Sequence, residues 1–334
     1  MTGIFLALAK FALIGCGITL CAALSLIFWP QSAGRAPEPG AGGLDFSAVS
    51  GPGFAPPEEA IAARDGTPIR FRAFGAGAGA RPLVIALHGS GWHGFQFQAL
   101  CAEIADTGLA DCIAPDLRGH GADPATRGDV ASIGQFEDDI ADLIAARSGG
   151  APVILLGHSS GGGLVARFAG GPHGDQIAGA ILLAPFLGHN APSQRPNSGG
   201  WARVRTARII GLSILNGFRI TALNHLPVID FNFPEEIRTG PLAHTITATY
   251  SHRLNASYAP RRDYRKDIAA LPEYLLIAGA DDEAFHAERY AAVMADAGAR
   301  GETQVIANVG HLGIVDHAES LAAIVRYLER FHER

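Results

Sequence analysis

Five short apolar runs punctuate the chain, at residues 83–87, 153–156, 177–183, 274–278 and 303–308, and most are closed by glycine, proline or a polar turn. Each is of strand length, and none alternates polar with apolar, so each belongs to a strand covered on both faces. Between them lie helical stretches. Residues 135–148 carry Phe136, Ile140, Leu143 and Ile144 along one stripe, and residues 318–331 carry Leu321, Ile324, Val325 and Leu328. Strand alternating with helix over 58–334 predicts an α/β domain with a mostly parallel sheet. Such sheets place their chemistry at the carboxyl ends of the strands, so functional residues are sought just after each apolar run.

The rest of the chain frames this body. With 17% charged residues, 48% hydrophobic ones and a net charge of -6, the sequence excludes an unfolded polar chain and shows no basic surface for nucleic acid. Residues 11–29 form an uncharged apolar run that nearly matches a bilayer core of about 30 Å. We read 1–29 as an uncleaved membrane helix in preference to a signal peptide, because the run is long for a signal and no Ala-x-Ala site follows Trp29. Lys10 and Arg35 flank it almost symmetrically, so charge does not orient it; an extracytoplasmic body is the favoured placement. Residues 30–57 are rich in Gly and Pro, with no helical or strand period, and read as a linker. Residues 187–270 hold no convincing buried strand, a helical-looking stretch over 202–218, and the aromatics Trp201, Phe231, Phe233, Tyr250 and Tyr258. That is too long for an ordinary loop and is expected to be a cap over the strand ends.

Gly157-His158-Ser159-Ser160-Gly161 follows the run at 153–156 and precedes a helix-compatible segment. This strand–turn–helix setting is that of a nucleophile elbow, where only small flanking residues fit and Ser159 is lifted above the sheet. A tetrahedral intermediate then needs two N–H donors. Ser160 supplies one, and the loop His88-Gly89-Ser90-Gly91 after the first run supplies the other through Ser90. His88 is expected to brace that loop. A serine needs a histidine base. Of thirteen histidines, His311 stands out, because Gly310-His311 lies between the last apolar run and the final helix. The orienting acid comes from Gly279-Ala280-Asp281-Asp282, with Asp282 chosen and Asp281 in reserve.

Together with Asp116-Leu117-Arg118-Gly119-His120-Gly121, these segments resemble the α/β-hydrolase superfamily over 58–334. Within it they are most similar to the serine aminopeptidase and monoacylglycerol-lipase, or lysophospholipase, branch. The resemblance implies an α/β-hydrolase fold, a Ser-His-Asp triad and a helical cap within 187–270. It also implies a structural role for the Asp-x-Arg-Gly-His-Gly segment, and its Gly279-x-x-Asp spacing favours Asp282. Ala122-Asp123 stand where a serine commonly follows Gly121 in that branch.

The expected reaction is hydrolysis of a hydrophobic, lipid-derived carboxylic ester through an acyl-enzyme, with no cofactor and no metal. The membrane is a partner through the N-terminal helix. An amidase or aminopeptidase is the alternative, needing a cap carboxylate such as Glu235 or Glu236; a tethered binding module is a third reading. Cys101 and Cys112 are expected to be two buried thiols, with a disulfide as the alternative.

Overall fold

The computed structural model describes residues 2–30, 43–48, 56–75 and 81–332. The central sheet has eight strands: β1 (Glu58–Ala62), β2 (Pro68–Phe74), β3 (Leu83–Leu87), β4 (Asp111–Pro115), β5 (Val153–His158), β6 (Gly179–Leu183), β10 (Tyr274–Gly279) and β11 (Gly301–Ile306). Their order is β1-β2-β4-β3-β5-β6-β10-β11. The β1–β2 hairpin makes an antiparallel edge, β2 pairs antiparallel with β4, and every later pairing is parallel. All five apolar runs became strands of this sheet, and β3, β4, β5, β6 and β10 are buried at every residue; β11 is not covered on both faces as expected, because it lies at the sheet edge and is largely exposed. Their parallel alignment brings the loops after β3, β5, β10 and β11 to one edge.

Helices cover both faces, as a parallel sheet requires. Among them are α2 (Gln98–Asp106), α3 (Gln135–Arg147), α4 (Ser160–Ala169), α9 (Tyr290–Asp296) and α10 (Ala318–His332). In α3 the buried stripe Phe136, Ile140, Leu143 and Ile144 packs on the core; Glu137 and Asp138 occupy its first turn and Arg147 its last, each matching the helix dipole. The core is one continuous cluster on both sides of the sheet. Cys101 on α2 and Cys112 on β4 are joined by a disulfide, with Cα atoms 5.3 Å apart. The expectation of two free thiols is overturned: α2 lies directly on β4, so both side chains meet in the same buried layer.

The segment between β6 and β10 departs from its reading in detail. It contains a small antiparallel sheet of β7 (Ala202–Val204), β8 (Pro227–Phe231) and β9 (Thr249–Ser251). With it are the helices α5 (Thr206–Gly217), α6 (Glu235–Thr239), α7 (His252–Tyr258) and α8 (Tyr264–Ala269). The expected helix over 202–218 therefore begins only at Thr206, because residues 202–204 pair with β8. β7 and β9, at three residues each, are too short to show a period of two, and the five residues of β8 are only partly buried, without strict alternation, which is why none was legible.

The N-terminal helix α1 (Thr2–Phe28) does not stand apart. Ala23 and Ile27 are buried against Leu212 and Leu215 of α5 and Val228 of β8. Gly211 permits this approach, since a Cβ there would lie 2.6 Å from the Ala23 carbonyl oxygen. Arg208 Nε also donates to the Ile27 carbonyl at 3.1 Å. Leu20 is half-buried against the same cluster, while Phe11, Leu13, Ile14 and Ile18 of α1 are exposed. The predicted linker lies largely outside the described residues; within it, residues 43–48 are described and include a single tight turn at Phe46–Ala48.

Candidate active site

Ser159 sits between β5 and α4 with φ +55° and ψ -120°, a left-handed conformation that side chains rarely adopt. Close packing imposes it. A Cβ on Gly157 would lie 2.3 Å from the Gly161 carbonyl oxygen, and one on Gly161 would lie 2.0 Å from that of Leu87. The turn is tied down by Ser159 N–H donating to Leu183 O at 2.9 Å and by Phe186 N–H donating to Ser159 O at 2.8 Å.

His311, in the loop between β11 and α10, is buried, and its Nδ1 lies 2.9 Å from Asp282 Oδ2. Asp282 is itself 2% exposed, and its other oxygen accepts the Ala284 and Phe285 N–H groups at 2.8 Å each. Burial pushes this carboxyl's pKa up, but the facing His311, with the Phe285 and Ala284 N–H groups, outweighs burial and holds it below the usual carboxylate value. An ionised Asp282 is acceptor-only, so Nδ1 carries the proton and Nε2 is left as a base. Asp281, one residue earlier, is exposed. Ser159, His311, Ser90 and Gly89 line one cavity, together with Trp92 and Phe233. The structure thus brings Ser159, His311 and Ser90 to one space, and Asp282 stands behind His311.

The other donor candidate, Ser160, is the first residue of α4, where helix geometry leaves N–H groups without an intrahelical acceptor. Its Oγ contacts Ser90 Oγ, so the two candidate donors are braced against each other. Glu235 and Glu236 are exposed on α6 and are not among the residues that line this cavity. Among the described residues, no cluster of three or more His, Cys, Asp or Glu is placed to hold a metal ion.

Several supporting residues were not found from sequence. Gln96 Oε1 accepts the Gly89 N–H at 2.9 Å, while its Nε2 lies 2.7 Å from His158 Nδ1. His158 Nε2 in turn donates to the His311 carbonyl at 2.9 Å. Burial, with His311 beside it, lowers the His158 pKa to about 3, so the ring is neutral: Nε2 is the donor and Nδ1 accepts from Gln96. This chain of bonds links the loop after β3 to the loop after β11. Glu283 adds a second brace, accepting the His311 N–H at 2.7 Å.

His88 braces its loop as expected: Nδ1 donates to Gly89 O at 2.9 Å and Nε2 accepts the Leu117 N–H at 3.2 Å. Burial lowers its pKa to about 4. The Asp-x-Arg-Gly-His-Gly segment proves structural. Asp116 accepts the Gly94 N–H at 2.7 Å, and His120 Nε2 lies 2.7 Å from the Tyr250 hydroxyl, which also accepts the Gly91 N–H. Tyr250 of β9 therefore reaches from the insertion to hold the loop of Ser90.

A mostly parallel sheet with a strained serine after β5, and a buried His–Asp pair after β10 and β11, defines an α/β-hydrolase. The family model described as "Serine aminopeptidase, S33" matches residues 78–318, and the chain belongs to that family. It is similar to the monoglyceride lipase of Homo sapiens, 29% identical over 139 residues, which is 41% of this chain and 44% of that protein. It is also similar to the phospholipase YtpA of Bacillus subtilis, 29% identical over 107 residues, 32% of this chain and 41% of that protein. These alignments span less than half the length of either relative. Among solved structures, a soluble variant of the Saccharomyces cerevisiae monoglyceride lipase superposes with a TM-score of 0.61 at 15% identity, covering 84% of this chain and 96% of that one. A membrane phospholipase A superposes with a TM-score of 0.57 at 16% identity and covers 100% of both chains. At these identities the superpositions speak for the fold alone.

Proposed function

We propose that the chain is a membrane-anchored serine esterase that hydrolyses hydrophobic, lipid-derived carboxylic esters. His311 Nε2 takes the Ser159 proton as Oγ attacks the ester carbonyl, and the Ser90 and Ser160 N–H groups hold the oxyanion. The intermediate collapses, and the leaving alkoxide takes the proton from His311. Water, deprotonated by the same nitrogen, then releases the acid and restores Ser159. Asp282 holds the His311 tautomer and stabilises its cation.

The observation that carries this reading is the buried His311–Asp282 pair at 2.9 Å beside the cavity that Ser159 opens into. The ester substrate is supported by relatives named as lipases and esterases, and its apolar character by the aromatic lining. Residues Ile4–Phe28 form a helix long and apolar enough to cross a bilayer, and its exposed apolar side chains support that role. The Cys101–Cys112 disulfide supports an oxidising, extracytoplasmic side for the body.

A fluorophosphonate probe tests the nucleophile. Wild type is expected to label and Ser159→Ala is not; labelling that survives Ser159→Ala, or a wild type that never labels, contradicts the proposal. A panel of short acyl esters, monoacylglycerols and aminoacyl anilides tests the substrate class. Preference for the anilides would replace the esterase reading with an aminopeptidase one.

A further inference from the structure

We infer that Leu44 and Phe46, which lie before the hydrolase body and outside the residues matched by the family model, form a wall of the substrate's acyl subsite. The inference rests on the esterase reading and extends it to residues that sequence reasoning assigned to a linker.

Both side chains line the cavity that contains Ser159 and His311. Leu44 and Phe46 are half-buried, while Asp45 and Ser47 between and after them are exposed, so the segment presents one apolar edge inward. The Phe46 ring packs 6.0 Å from Trp92, 5.6 Å from Trp201 and 5.9 Å from Phe233, centroid to centroid. Trp92 comes from the loop of Ser90, whereas Trp201 and Phe233 come from the insertion between β6 and β10. Phe46 thus joins the two parts of the molecule that meet at the cavity, and the part of its ring left uncovered faces the cavity.

The segment is held by specific bonds. Ser47 donates from both N–H and Oγ to Asp45 Oδ1, at 2.9 and 2.6 Å, which fixes the turn. Asp45 N–H donates to Glu283 Oε1 at 3.1 Å, and the other oxygen of Glu283 accepts the His311 N–H. The wall is therefore tied to the same carboxylate that positions the loop of His311. These bonds hold Leu44 and Phe46 at the edge of the cavity.

The test uses the full-length chain in detergent micelles. The ratio of kcat/KM for p-nitrophenyl octanoate to that for the acetate is expected to fall about tenfold in Phe46→Ala, with Leu44→Ala acting in the same direction and Phe46→Leu retaining most of the ratio. Equal losses on both esters would assign the segment a merely structural role, and equal gains would make it a plug; either overturns the inference, as does an unchanged ratio. An activity-independent arm titrates decanoate into Ser159→Ala and reads the emission of Trp92 and Trp201 beside Phe46. Adding Phe46→Ala is expected to raise Kd about tenfold, and an unchanged Kd refutes the wall. A wild type inert to every ester and to the fluorophosphonate would sink the esterase reading, while this binding arm would still decide the role of Phe46.

Discussion

Replacing Asp282 by asparagine separates the chemistry of the His311–Asp282 pair from its contribution to folding. Asp282 Oδ1 accepts two backbone N–H groups at 2.8 Å, so the carboxamide oxygen of an asparagine must remain there. Its NH2 group then faces His311 Nδ1 across the 2.9 Å contact and donates to it. The ring responds by carrying its proton on Nε2, where, in the proposed mechanism, it could not accept one from Ser159. A base locked in the wrong tautomer lowers kcat about 10⁴-fold, or about 5.4 kcal/mol of transition-state stabilisation. Folding suffers far less, because both N–H groups keep their acceptor and only the charge-assisted bond is lost, about 1.5–3 kcal/mol. Asp282→Ala, by contrast, leaves both buried N–H groups unsatisfied, at about 1–3 kcal/mol each. The folded pKa of Asp282 lies below its unfolded value, so its stabilisation is complete above about pH 4 and is lost as the pH falls through the folded value. The stability gap between wild type and Asp282→Asn is expected to close in acid. Steady-state hydrolysis of p-nitrophenyl butyrate and urea melts at several pH values measure the two quantities. An Asp282→Asn enzyme retaining a tenth of wild-type kcat, or an Asp281→Asn enzyme equally impaired, would refute the assignment.

Two further predictions follow from buried polar groups. His88, His93 and His158 have pKa values lowered to about 4, 3 and 3, mainly by burial. Each lies below its unfolded value of about 6.5, so the unfolded chain binds protons first and stability falls with pH across that window. Between about pH 6 and pH 4 each of these rings contributes a loss of up to about 1.4 kcal/mol per pH unit; a flat urea-midpoint profile down to pH 4 would show that these rings are not buried and neutral. Tyr250→Phe removes the hydroxyl shared by His120 and the Gly91 N–H, leaving a buried donor unpaired. It is expected to lower stability by about 1–3 kcal/mol and to reduce kcat more than it raises KM, since the loop it holds carries Ser90. Kinetics and thermal melts of this single variant check both effects.

The legible part of the molecule was its local chemistry. Strands covered on both faces are mostly apolar, so β3, β5, β6 and β10 announced themselves as continuous runs, whereas the equally buried β4, which opens on Asp111, did not. An elbow that admits no Cβ on either side of Ser159 must be written with glycine, so Gly157 and Gly161 marked it. The hairpin β1–β2 and the three short strands of the insertion left no such trace. Their side chains are partly exposed, and their pairing is set by partners distant in sequence.

Local sterics and burial, both properties of neighbouring residues, thus determined the fold class, the elbow and the position of His311 after the last strand. Tertiary packing alone decided which of two adjacent aspartates turns inward and that Cys101 and Cys112 pair. It also decided that Gln96, His158 and Glu283 brace the loops and that Phe46 reaches the cavity. Each of these is a contact between segments far apart in the chain, and such contacts exist only once the sheet has brought its loops to one edge.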